Sequence, residues 1–181
     1  MNDRIRLHGK IWRYGDSVNT DVIFPGKYTY TLREPAEIAA HALEDLDPAF
    51  TSQAQPGDLI LAGRNWGNGS SREQAVTCLK YRGIAAVIAR SFARIYYRNG
   101  INQGLLLLNC PELIDAAQDI SLPETNEIVI DLPGHEVQWN GRSYPFPPLS
   151  PTAIGILQAG GLLPYTQRKL GLPVTELKLS D

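Results

Sequence analysis

The run LILAGRNWGNGSSREQAVTCLKYRGIAAVIA, residues 59–89, decides the fold. Residues 59–62 read as a short buried strand that leads directly into a loop holding Gly63, Gly67 and Gly69. Ser70 followed three residues later by Glu73 has the form of a capping box, which predicts a helix starting there. Residues 84–89 form a continuous apolar run, as strands buried on both faces do. A second helix over 91–99, with Ser91 as its cap, and a strand over 105–108 follow. Strand, loop, helix, strand, helix, strand is an α/β pattern with crossover units.

The loop itself carries chemistry. Glycines admit positive φ angles and let a ligand approach the backbone, and the first amides of a helix lack intrahelical acceptors and favour an anion. Ser70, Ser71 and Arg72 add two hydroxyls and a guanidinium at the same place, which suits a carboxylate or phosphate. The stretch is not a phosphate-binding GxxxxGK[ST] loop, because no lysine precedes Ser70. Nor is it a GxGxxG dinucleotide fingerprint, because Gly67-x-Gly69 continues as Ser70-Ser71-Arg72. An ordinary glycine loop with an N-cap has the same spacing, so the pattern alone indicates an anion site and no particular reaction.

A chain of 181 residues can bury a substantial core. One domain over 1–181 is expected, with 173–181 as a C-terminal tail. With 17 basic and 19 acidic residues and a formal charge of −2, nothing in the electrostatics favours nucleic acid or an anionic membrane. No run approaches the roughly 18 to 20 apolar residues of a membrane span. The first residues lack a signal-peptide core, so a cytoplasmic location is expected. Cys78 and Cys110 show no metal-ligand spacing. Both read as buried small hydrophobes.

Elsewhere, residues 5–12 alternate as one strand, and 16–31 read as a strand-like or extended loop with a turn at Pro25-Gly26. A helix over 34–46 enters through Pro35, with His41 at its edge. Residues 111–117 form one or two helical turns. Short strands at 127–132, 136–139 and 142–144, the last two joined by the hairpin signal Asn140-Gly141, suggest an antiparallel addition to the same sheet system. His135 is read as structural or exposed. Ser150-Pro151 starts a helix that Gly160-Gly161 stops, and another short helix is expected near 166–170.

Taken in order, several segments resemble one family: Tyr14-Gly15-Asp16 with Asn19-Thr20-Asp21 and Pro25-Gly26-Lys27-Tyr28, then 67–73, then 89–95 with Arg98-Asn99, then 159–162. The chain resembles the small subunits of 3-isopropylmalate dehydratase and related homoaconitase-type enzymes, the swivel domain of the aconitase superfamily. The resemblance covers nearly the whole chain. It implies a swivelling β/β/α three-layer domain and an obligate large subunit that carries a 4Fe-4S cluster on its own three cysteines. This chain would then hold no metal, and two dispersed cysteines indeed fall short of the thiolates a cluster usually needs.

The resemblance also implies roles. Ser70 corresponds to the serine whose alkoxide takes and returns the proton on the carbon next to a carboxylate, and Ser71 and Arg72 to substrate-carboxylate ligands. Arg72 offers a planar fork for that task. A serine base requires stabilisation of its oxyanion by amides and positive charge. On the partner, an iron would act as a Lewis acid on the substrate hydroxyl. Asp21, Gly69 and Glu73 would support the site, and Lys27 would add charge. Many relatives have a cysteine where this chain has Asn68 and a histidine where it has Gln74, which loosens assignment to one subfamily.

Selectivity is expected in the segment after Tyr28. Relatives that handle an extra carboxylate place an arginine about two positions past Tyr28, and those that handle an isopropyl group place apolar residues there. Tyr30 occupies that region, and an aromatic ring suits an alkyl group better than an unpaired carboxylate. The reading is therefore a hydro-lyase interconverting 2- and 3-isopropylmalate in leucine biosynthesis, as a heterodimer acting on a small hydroxy-dicarboxylate. Arg33 keeps a tricarboxylate substrate open. The alternatives are the small subunit of a homoaconitase or of a methyl- or dimethyl-substituted malate dehydratase, and a non-catalytic carboxylate-binding assembly subunit.

Overall fold

The computed structural model describes residues 4–118 and 120–174. Its elements are β1 (Arg4–Gly9), β2 (Ile11–Tyr14), α1 (Thr20–Ile23), a 3-10 turn (Gly26–Tyr28), α2 (Pro35–Ala40), α3 (Pro48–Gln53), β3 (Leu59–Ala62) and α4 (Gln74–Tyr81). They continue with β4 (Ala86–Ala89), α5 (Arg94–Gln103), β5 (Leu106–Asn109), α6 (Pro111–Ala117), β6 (Asn126–Asp131), β7 (Glu136–Trp139), β8 (Arg142–Pro145), α7 (Pro151–Ala159) and α8 (Leu162–Lys169).

Two sheets form. One is parallel, in the order β2-β3-β4-β5; the other is antiparallel, in the order β1-β6-β7-β8. Alternation along the parallel strands explains the layering. Leu59, Leu61, Ala86, Ile88, Leu106 and Leu108 face one way and join Ile128, Ile130, Val137, Trp139 and Tyr144 of the antiparallel sheet in one core. Ile60, Ala62, Val87, Ala89 and Leu107 face the other way and meet Leu43, Phe50, Val76, Leu79, Tyr96 and Ile156 of the helical layer. The result is β/β/α, and the parallel strands read as continuous apolar runs because both their faces are covered. Each fully buried Leu or Ile contributes roughly 1.5–3 kcal/mol.

Several local expectations hold and others are corrected. Asn140 (φ 49°) and Gly141 (φ 71°) make the tight β7–β8 hairpin. Ser150 Oγ accepts from the Ala153 amide at 3.1 Å, Pro151 opens α7, and Gly160 closes it in the left-handed region at φ 84°. The strand expected over 5–12 is instead two strands in two sheets. β1 pairs antiparallel with β6, and β2 pairs parallel with β3. The chain crosses between layers at Gly9-Lys10, where a side chain at Gly9 would meet the Gly57 carbonyl at 2.5 Å. Asp58 fixes the crossing by accepting from the Lys10 amide, the Gln55 amide and Trp12 Nε1, each at 2.9 Å.

The antiparallel strands do not extend the parallel sheet; with β1 they form their own. The helix expected over 34–46 stops at Ala40 and continues as turns, because Leu43 takes φ 57° and donates its amide to the Ile23 carbonyl at 2.9 Å. The loop 16–31 contains helical turns: Asn19 caps α1 through Val22 N at 2.9 Å, and a 3-10 turn follows. The last helix begins at Leu162 rather than near 166. His135 lies in the β6–β7 turn with its ring edge-on to Phe146. Of the expected tail, residues 175–181 lie outside the described residues. Among the described residues no helix is long and apolar enough to cross a membrane.

Candidate active site

The loops after β2, β3 and β4 meet at the carboxyl ends of the parallel strands, where open α/β sheets place their ligands. Main-chain bonds bind them together. Ser17 N donates to the Arg64 carbonyl (2.7 Å), Gly67 N to Val18 (2.8 Å), Thr20 N to Asn68 (2.8 Å), Trp66 N to Ser91 (3.0 Å) and Ala93 N to Trp66 (2.9 Å). These bonds include two isolated parallel bridges, Asn19 to Asn68 and Trp66 to Phe92, beyond the named strands. Gly67, at φ 76°, lies so close to the Tyr96 ring that no β-carbon fits. Gly69, at φ 95°, brings its backbone against Thr20, where a β-carbon would be 3.3 Å from Oγ1.

Ser70 follows. Its carbonyl accepts from Thr20 Oγ1 and from the Arg72 amide, both at 2.9 Å, and its Oγ accepts from Arg72 Nε at 3.0 Å. The other side of the Arg72 guanidinium bonds Asp21 through Nη2 and Thr29 Oγ1 through Nη1 at 3.4 Å. Arg72 is thus held by three residues from two loops, Asp21 and Thr29 from the connection after β2 and Ser70 from its own. Its side chain is only 16% exposed, whereas that of Asp21 is 67% exposed. Thr20, Gly69, Ser70, Ser71, Arg72 and Asn99 line a cleft of about 200 Å³ whose far wall is the start of α5.

The expected capping box does not form. α4 begins at Gln74 with Glu73 as its cap residue and no side-chain cap bond. Arg72 engages the Ser70 hydroxyl, and Glu73 instead accepts from Gln103 Nε2 at 2.5 Å. Ser91 does not cap α5 either; its Oγ accepts from the Asn65 amide at 2.9 Å, and Ala93 precedes the helix.

The structure brings together Ser70, Ser71, Arg72, Asp21 and Gly69. Lys27 is turned to Glu44, with Nζ to Oε1 at 3.0 Å, and Tyr30 is 86% exposed. Sequence reasoning gave no role to Thr20, Arg94 or Asn99. Thr20 is 2% exposed, and a threonine next to the Asn19 cap could have pointed to a tethering hydroxyl. Arg94 and Asn99 lay within the motif segments but carried no chemical signal of their own.

Cys78 lies in the helical layer and Cys110 between the sheets, both buried and unpaired. Burial pushes both thiols up, away from the thiolate that binds metal. Among the described residues no group of three or more His, Cys, Asp or Glu is placed to hold a metal ion. The described residues therefore offer no donor set that fits an iron–sulfur cluster.

The family model "Aconitase C-terminal domain" matches residues 16–113, which contain all three site loops. The 3-isopropylmalate dehydratase small subunit of Thermodesulfovibrio yellowstonii is 41% identical over 170 residues, covering 93% of this chain and 98% of its own. That of Halothermothrix orenii is 45% identical over 161 residues, 88% of this chain and 94% of its own. The crystal structure of 3-isopropylmalate dehydratase (leuD) from Methanocaldococcus jannaschii superposes with a TM-score of 0.79 at 40% identity, over 92% of this chain and 96% of that one. Identity of this degree over almost the full length of both partners, on the same fold, places this chain in the 3-isopropylmalate dehydratase small-subunit family.

Proposed function

We propose that this chain is the small subunit of a hydro-lyase that interconverts 2- and 3-isopropylmalate by dehydration and rehydration. It works with a large subunit that carries the iron–sulfur cluster. The observation that carries the reading is the 3.0 Å bond from Arg72 Nε to Ser70 Oγ at the mouth of the cleft. A guanidinium beside a hydroxyl favours its ionised form, because an adjacent positive charge stabilises the oxyanion. Ser70 Oγ then takes the proton from the carbon next to a substrate carboxylate and returns it on rehydration. Ser71 and Arg72 receive that carboxylate, and Asp21 keeps the guanidinium plane in place. Gly69 supports the turn that presents Ser70. The exposed ring of Tyr30 supplies apolar surface for the isopropyl group.

The test is turnover by the co-purified large and small subunits, prepared anaerobically with a reconstituted cluster and followed by ultraviolet absorbance of the unsaturated intermediate. Ser70→Ala is expected to abolish turnover while the subunits still co-purify. Undiminished turnover in that variant removes Ser70 from proton transfer.

A further inference from the structure

Lys27 follows Gly26, and Gly26 packs directly against the site: a β-carbon there would lie 2.9 Å from Arg72 Nη1 and 3.2 Å from Asp21 Oδ1. Lys27 is the cation next in the chain to this contact, and a third carboxylate taken out of water at the site would need a cation. Its ammonium is instead engaged elsewhere. Glu44 Oε1 holds Lys27 Nζ at 3.0 Å, and Glu44 Oε2 holds His41 Nδ1 at 2.5 Å. The His41 ring stacks on Tyr28 with centroids 4.0 Å apart. The left-handed backbone at Leu43, tied to the Ile23 carbonyl, presents the Glu44 carboxylate. Burial opposes its ionisation, but the bonds from His41 and Lys27 outweigh that and hold the carboxyl below its ordinary value. The bond to Glu44 likewise raises Lys27 above its own.

We infer that Glu44 is a selectivity-determining residue that keeps hydroxy-tricarboxylates out of the site by withholding the Lys27 ammonium. This rests on the isopropylmalate reading above. Glu44 touches no substrate; it acts through the charge and direction of Lys27. An alkyl-bearing substrate gains nothing from a nearby ammonium, so neutralising Lys27 leaves its binding intact while a third carboxylate meets no free cation. The pair joins two segments 17 positions apart, so it also fixes the 3-10 turn that packs on Arg72.

The experiment uses the assembled two-subunit enzyme and compares inhibition of 3-isopropylmalate turnover by tricarballylate with inhibition by succinate. Glu44→Gln, nearly isosteric and without charge, is expected to lower the tricarballylate inhibition constant by roughly three- to tenfold and to leave that of succinate unchanged, as one partly screened charge pair predicts. Glu44→Asp keeps the charge and should behave as wild type. Adding Lys27→Met to Glu44→Gln should return tricarballylate inhibition to the wild-type value. If both inhibitors shift together, if neither shifts, or if the gain survives Lys27→Met, the inference is overturned. An Asp variant that shifts as far as the Gln variant also overturns it, since packing of the stem would then be responsible. Absence of 3-isopropylmalate turnover in the wild-type complex would overturn the functional reading instead, and the two anions would then be compared by calorimetry.

Discussion

Arg72 reaches its neighbour but one: its Nε donates to Ser70 Oγ at 3.0 Å while the far edge of the same guanidinium is clamped by Asp21. One planar group thereby orients a hydroxyl on one side and is itself oriented on the other. Lysine cannot do both, because a point charge on a flexible stem has no fork. Arg72→Lys in the assembled enzyme is expected to lower kcat/KM by about 10²-fold, the scale of losing one oriented donor to a developing oxyanion. Steady-state kinetics decide it, and unchanged constants would remove Arg72 from contact with the reacting groups.

Gly26 separates positioning from folding. Its φ lies outside the left-handed region, so alanine is allowed by the backbone, yet the added methyl meets Arg72 Nη1 at 2.9 Å. Gly26→Ala should therefore reduce activity at least tenfold, about 1.4 kcal/mol of transition-state binding. The thermal midpoint should move by no more than a few degrees. Equal loss of stability and activity would count against this account.

Asp58 is a stability determinant remote from the chemistry. Its buried carboxylate accepts three bonds at the layer crossing. Asp58→Ala leaves Trp12 Nε1 and two amides without that acceptor and should destabilise the protein by about 2–4 kcal/mol, measured by urea denaturation.

Asp131 gives stability a pH dependence of known sign. The Gly134 amide at 2.8 Å, and then Arg4, hold its carboxyl below the ordinary carboxylate value, although burial pushes the other way. A depressed native pKa means the stabilisation is complete above the unfolded value of about 3.9 and disappears as pH falls through the native one. Asp131→Asn should lower the thermal midpoint at pH 7, and the gap from wild type should narrow as pH falls below 4. A gap independent of pH would assign the effect to packing.

Local signals were readable where the physics is local. Asn140-Gly141 demanded a tight hairpin, and Ser150-Pro151 with Gly160 marked both ends of α7. The apolar runs 59–62 and 84–89 correctly implied strands covered on both faces. The crossing at Gly9-Lys10 was invisible because alternation continues through a change of sheet, and only the distant Asp58 marks it. The capping box failed for a similar reason. Ser70 and Glu73 had the right spacing, but the nearby Arg72 takes the Ser70 hydroxyl and the distant Gln103 takes the Glu73 carboxylate. At the candidate site, the grouping of Ser70, Ser71 and Arg72 at one cleft was legible from their adjacency after the glycines. The pairing of Lys27 with Glu44 depends on a turn at Leu43 that no propensity signalled.

The site loops are joined by amides and carbonyls, through bridges such as Thr20 N to the Asn68 carbonyl. Any residue except proline can supply such a group, so the main-chain bond at 68 does not depend on its side chain, whereas Gly67 and Thr20 are fixed by their own packing. At 68 the Asn side chain contributes one bond, Nδ2 to the Asn65 carbonyl at 3.0 Å. A residue at the rim of the cleft can thus be exchanged while the Ser70 hydroxyl stays at the same address. The architecture separates where chemistry happens from what it happens to.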